Sequence, residues 1–81
     1  MSKYDPLGQW FGDFGRGVEV TLGFADIDEL LGAALPASAD HHRAWWANDP
    51  THVQARAWLD AGWAVDAVDR RARRVRFRRS R

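Results

Sequence analysis

Five Trp, four Phe and one Tyr stand in 81 residues that contain no Cys. That combination constrains the fold more than any other feature. A chain this short buries only about 60 % of the surface that its unfolded form exposes. No disulfide or Cys-ligated zinc supplements the core, so a zinc finger is excluded. Stability must come from burying rings, each of which removes roughly 150–250 Å² from water. The length is that of a single domain, residues 1–81. No apolar run approaches the roughly 18 residues of a membrane span. The opening MSKYDPLGQW lacks the charged-then-apolar order of a signal peptide. The expectation is a cytoplasmic protein with no membrane partner.

Caps and periodicity give the order of elements. Asp5 before Pro6 reads as an N-cap followed by proline at the first helical position. Leu7, Trp10, Phe11 and Phe14 then build one aromatic face of a helix over 5–14, ended by Gly15 and Gly17. Val18, Val20 and Leu22 alternate with Glu19 and Thr21 as a half-buried strand. Gly23 and Asp26 form the ends of a capping box for a second helix, with Ile27, Leu30 and Leu31 inward and Gly32 as its stop. After Leu35-Pro36, Ser38 is expected to cap a third helix running to about Asn48. Thr51 and Gln54 read as a capping box for a fourth, over 51–61, apolar around most of its circumference and therefore largely enclosed. Trp63, Val65 and Ala67 mark a second strand. Val75 and Phe77, alternating with Arg74, Arg76 and Arg78, mark a third, joined to the second by a hairpin loop over 69–73. The expected fold is α+β and winged-helix-like: helices packed on a small three-stranded antiparallel sheet that ends in a C-terminal β-hairpin.

The net charge of +1 conceals a segregation. Before Arg70 there are eleven acidic residues and four basic ones (Lys3, Arg16, Arg43, Arg56), a balance of −7. From Arg70 to Arg81 there are eight arginines and no acid, a balance of +8. Asymmetry of this kind points to a polyanionic partner or a solubilising tail. Alanine and arginine dominate over a single lysine, as in GC-rich bacterial genomes.

The run Tyr4-Asp5-Pro6-Leu7, Phe24-Ala25-Asp26-Ile27, Leu35-Pro36-Ala37-Ser38-Ala39 and His42-Arg43-Ala44-Trp45-Trp46-Ala47-Asn48-Asp49 forms a distinctive pattern. It continues through Ala55-Arg56-Ala57-Trp58, Ala61-Gly62-Trp63 and Val75-Arg76-Phe77-Arg78. Over nearly its whole length the chain resembles a family of small bacterial domains of unknown function. Gly23 departs from the Ser or Thr cap more usual there, which bears on cap strength alone. The resemblance implies a domain type and no particular activity.

Candidate chemistry is sparse. Adjacent His41 and His42 point about 100° apart on a helix and do not match the i, i+4 spacing of a metal pair, so no metal or cofactor is expected. Asp26, Asp28 and Glu29 lie in a helix's first turn, where its dipole favours acids without any catalytic role. There is no nucleophile–base pair and no phosphate loop, so an enzyme is not expected. The arginines are the strongest signal. Arg74, Arg76 and Arg78 share a strand face, and Arg70, Arg71 and Arg73 decorate the loop before it. Arginine favours planar, bidentate phosphate contacts.

The expected function is sequence- or structure-selective DNA binding, in a transcriptional regulator or defence-associated factor. The hairpin acts as a wing, and Arg43, Trp45, Asn48, His52 and Arg56 form a helix-borne reading surface. RNA is the other polyanion to consider, and a module this small favours action as a homodimer on a symmetric site. The competing readings are two. The arginines could pair with the acidic body and guard an edge strand. Alternatively, the Trp-rich helix surface and acidic face could serve a protein–protein adaptor or inhibitor, since adjacent Trp45 and Trp46 cannot both point inward from one continuous helix.

Overall fold

The structure, a computed structural model, describes residues 2–14 and 17–80. The order is α1 (Asp5–Asp13), β1 (Glu19–Gly23), α2 (Phe24–Leu31), α3 (Ala37–His41), a 3-10 turn (Arg43–Trp46), α4 (Val53–Leu59), β2 (Trp63–Asp69) and β3 (Arg74–Arg79). The fold is α+β, with a C-terminal hairpin as expected. The antiparallel sheet has the order β1-β3-β2, which places the arginine strand in its centre. Edge guarding therefore cannot explain these arginines.

Period-two alternation along β3 sends Val75 and Phe77 into the core and leaves Arg74, Arg76 and Arg78 on the open face. The inward neighbours are Val20 and Leu22 on β1 and Val65 and Val68 on β2. Trp63 lies fully buried beneath them. β2 does not alternate throughout, as the sequence suggested. A bulge between Val65 and Ala67 adds Asp66 as an extra residue and resets the register.

The helices close the inner face around one aromatic stack. Trp46 lies against Phe24 and Trp58, Trp58 against Phe77, and Phe77 against Phe11, which stacks on Trp63. Several ends differ from the sequence reading. Tyr4, not Asp5, occupies the N-cap of α1, and Asp5 lies in its first turn, accepting from the Ser2 N–H. Of the two glycines expected to stop this helix, Gly15 lies outside the described residues. Val18 precedes β1 and is largely exposed. At α2 the reading holds. Gly23 donates its N–H to Asp26 Oδ2 at 2.7 Å, and left-handed Gly32 ends the helix.

The expected third helix is broken. Pro36, not Ser38, precedes its first turn, and His42 leaves the helical region at φ −127°, ψ 111°. The reason is tertiary. With the chain turned at His42, Trp46 becomes fully buried and donates its indole N–H to the Ala39 carbonyl at 2.9 Å. Trp45 packs edge-on against both Tyr4 and Trp46 at the rim of the core. Two adjacent tryptophans are thus accommodated by abandoning the continuous helix.

The capping box expected at α4 is also absent, and the helix is shorter than predicted. Thr51 instead donates both its N–H and its hydroxyl to Asp49 Oδ1, which holds the Asp49 carboxyl below its usual pKa. Gln54 donates to the Trp45 carbonyl. Ala55 and Trp58 are buried, but Val53 is 52 % exposed, so α4 is enclosed on one side only.

α1 crosses α4 at Gly8, where an added Cβ would lie 2.9 Å from the Ala57 carbonyl oxygen. Gly12, one turn on, has no atom within 4 Å of that position. Opposite outcomes are expected for two identical changes. Gly12→Ala should stabilise by about 0.5–1 kcal/mol through helix propensity. Gly8→Ala should destabilise by about 1–3 kcal/mol through overpacking against backbone. Denaturant melts of both variants check this, and a Gly8→Ala protein as stable as the parent would contradict the close crossing.

Candidate nucleic-acid interface

The open sheet face is ordered in rows by the register: Glu19, Arg78 and Ala64; Thr21, Arg76 and Ala67; Gly23, Arg74 and Asp69. Small residues and two carboxylates flank the central arginines, and no aromatic side chain stands in these rows. Two of the three arginines are occupied. Arg76 donates through Nε and Nη2 to Asp66 Oδ2, each at 2.8 Å. Arg78 pairs with Glu19 at 3.0 Å and approaches Asp66 at 3.7 Å. The bulge at Asp66 places one carboxylate between two guanidinium groups. This face is therefore a largely balanced network, not a free cationic ribbon.

The hairpin end is different. Here the turn 70–73 is tied down by four contacts. Asp69 Oδ1 accepts the Ala72 N–H at 2.9 Å. Arg73, at φ 56°, accepts the Phe24 N–H on its carbonyl at 2.9 Å. Its guanidinium lies 3.5 Å from Asp40 and over the Phe24 ring. Arg70 donates to the His41 carbonyl at 3.0 Å. A left-handed non-glycine residue is uncommon and costs energy that the surroundings must offset, as these contacts do.

These ties bring His41, at the end of α3, against Arg70 of the turn, and exposed His42 and Arg43 follow it directly in the chain. Arg43 begins the 3-10 turn that runs beside β2, sharing a groove with Val65 to Val68. Among the described residues, the Arg43, Arg71 and Arg74 side chains make no ion pair or hydrogen bond. All three are exposed. His41 and His42 were not expected at this surface. Their proximity depends on a contact 29 residues distant in sequence, which no local pattern reveals.

Other residues expected to read bases serve the fold or lie elsewhere. The Asn48 amide spans the free edge of β2, donating to the Val65 carbonyl at 2.9 Å and accepting the Val65 N–H at 2.8 Å. Its Oδ1 also accepts the Trp58 indole N–H at 2.9 Å. This arrangement substitutes for a neighbouring strand and protects the edge. His52 precedes α4, half-buried, 3.7 Å from Asp49. Arg56 approaches Asp60 at 3.9 Å and lines a groove between α1 and α4, away from the hairpin. Arg79 covers the Trp63 ring at 4.6 Å and donates to the Gly17 and Phe14 carbonyls. Arg81 lies outside the described residues.

Fold and site define a small α+β domain with a preorganised, arginine-rich hairpin end. Among the described residues, no helix is long and apolar enough to cross a membrane. The chain belongs to the family described as Domain of unknown function (DUF7662), whose model matches residues 4–80. No curated protein and no solved structure matches it significantly.

Proposed function

We propose that this domain binds nucleic acid, DNA foremost, through its hairpin end. The observation that carries the reading is that Arg71 in the hairpin turn, Arg74 at the start of β3 and Arg43 in the 3-10 turn are exposed and make no ion pair or hydrogen bond among the described residues, while four contacts hold the turn in place. Arg70 and Arg73 add charge while fixing the turn. Arg70 commits one donor to His41 and keeps the rest of its guanidinium available. The acidic groups nearby are each engaged: Asp40 with Arg73, Asp69 with the Ala72 N–H, and Asp26 with the Gly23 N–H. Five arginines (Arg43, Arg70, Arg71, Arg73 and Arg74) against these three carboxylates leave a positive excess at one end of a nearly neutral molecule, the arrangement that steers a protein onto phosphates. The element order supports a winged-helix analogy in which the β2–β3 hairpin is the wing. A regulatory or defence-associated role follows from that analogy alone.

The protein-docking alternative has less support. Trp46 is buried and Trp45 half-buried, and among the described residues the exposed large apolar ones are Val18 and Val53. Neither tryptophan offers the projecting ring that an interface anchor requires.

The test is a fluorescence-anisotropy titration of labelled DNA at two salt concentrations, about 50 and 200 mM. Contact with three to five phosphates should weaken affinity by roughly 50- to 500-fold across that range. A flat response, or no binding at low salt, removes the proposal.

A further inference from the structure

Resting on the nucleic-acid reading above, we infer that the hairpin end takes double-stranded DNA by its phosphate backbone alone, without stacking on bases or reading their edges. Three observations carry this.

The first concerns rings. Single-strand binders lay successive bases on exposed aromatic side chains. Here Tyr4, Phe11, Phe24, Trp46, Trp58, Trp63 and Phe77 are buried, Trp10, Phe14 and Trp45 are half-buried, and among the described residues no aromatic side chain is exposed. The open sheet face, where a stacking platform would lie, presents arginine, alanine, threonine and carboxylates.

The second concerns base edges. Reading adenine or guanine in the major groove takes a planar side chain on a helix or two-stranded ribbon that enters the groove, whereas Arg43, Arg71 and Arg74 stand on a 3-10 turn, a hairpin turn and the central strand of a three-stranded sheet. The Asn48 amide is committed to Val65 and Trp58, and the Gln54 amide donates to the Trp45 carbonyl. The helical elements at the hairpin end, α3 and the 3-10 turn, have five and four residues. At 1.5–2 Å per residue neither exceeds about 8 Å in length. Neither can lie along a groove as a recognition helix does.

The third concerns rigidity. The turn is fixed through Asp69, Phe24, Asp40 and His41, so the free guanidinium groups of Arg71 and Arg74 project from a fixed base. A fixed array of charges gains most from a target whose phosphates are also fixed. A duplex meets that condition, and its axial charge density is twice that of one strand, about one charge per 1.7 Å against one per 3.4 Å. A flexible single strand must lose conformational freedom to match the array.

The experiment compares a duplex of about 20 base pairs, each of its separated strands, an oligothymidylate of equal length, and a second duplex of unrelated sequence. All are titrated with the full chain at about 50 mM salt, with anisotropy and intrinsic tryptophan emission recorded together. The duplex is expected to bind at least about ten times more tightly than any single strand. The two duplexes should agree within about threefold, since backbone contacts carry no sequence information. Tryptophan emission should stay unchanged on saturation. Equal or tighter binding of a single strand, with tryptophan quenching, overturns this inference while leaving nucleic-acid binding intact. So does a preference above about tenfold for one duplex, which would mean that base edges are read. Failure of every oligonucleotide to bind removes the underlying proposal instead.

Discussion

Trp58→Ala is expected to cost roughly 3–5 kcal/mol. For 81 residues the whole stability is on the order of 4–12 kcal/mol, so this variant should lose at least about a quarter of it. Trp58 is fully buried at the point where helices meet sheet. It stacks on Trp46 at 6.1 Å, meets Phe77 edge-on at 5.6 Å, and donates its indole N–H to Asn48. Removing it opens a cavity and frees an acceptor that also positions the edge of β2. Trp58→Phe separates the two contributions. It keeps most of the apolar volume and removes one hydrogen bond, while Asn48 Oδ1 retains the Val65 N–H. Its cost should be smaller, about 1–2 kcal/mol. Guanidinium melts followed by far-UV and near-UV dichroism check both values. An alanine variant within about 1 kcal/mol of the parent would mean that the stack is not the centre of the core.

The parts of the fold legible in the sequence are those set by local periodicity. Val75 and Phe77 between arginines can satisfy only one pleat, and the structure has that pleat. Gly32 stops α2 because a left-handed residue was needed and glycine supplies it without steric cost. The misreadings occur where two local signals compete or a distant partner decides. Thr51 and Gln54 have capping-box spacing, yet Asp49 offers a nearer acceptor and Trp45 a different one. The segment from Ala37 to Trp46 contains no helix breaker. Its break at His42 follows from the need to bury Trp46 against Phe24 and Trp58, far away in sequence.

The candidate site divides in the same way. Alternation revealed which face carries Arg74, Arg76 and Arg78, but not what they face. Glu19 lies 59 residues from Arg78, and its presence opposite depends on β3 lying between β1 and β2. Asp66 reaches Arg76 through a bulge that alternation alone would not predict. Asn48 looked like a base reader because amides often are. Its structural use becomes visible only once β2 is known to have a free edge there.

These pairings decide which arginines to reverse. Changing every turn and strand arginine to Glu would confuse loss of binding with loss of fold, because Arg73, Arg76 and Arg78 hold Asp40, Asp66 and Glu19. The informative variant is Arg43→Glu, Arg71→Glu and Arg74→Glu together, since these side chains have no intramolecular ion pair among the described residues. Each reversal moves the local charge by two, taking the chain from +1 to −5. Three lost phosphate contacts and the added repulsion should lower DNA affinity at about 50 mM salt by at least roughly 10²–10³-fold. The melting midpoint should fall less than in the sheet pair below, because Arg43 and Arg71 are exposed and unpaired and only Arg74→Glu sets a carboxylate opposite another, Asp69. The comparison variant is Arg76→Glu with Arg78→Glu. It sets like charges beside Asp66 and Glu19 and should lower stability by about 1–2 kcal/mol, with a smaller effect on binding. If instead the sheet pair abolished binding while the triple variant retained it, the contact surface would be the open face of β3. The DNA phosphates would then have to displace Asp66 and Glu19 from their arginines.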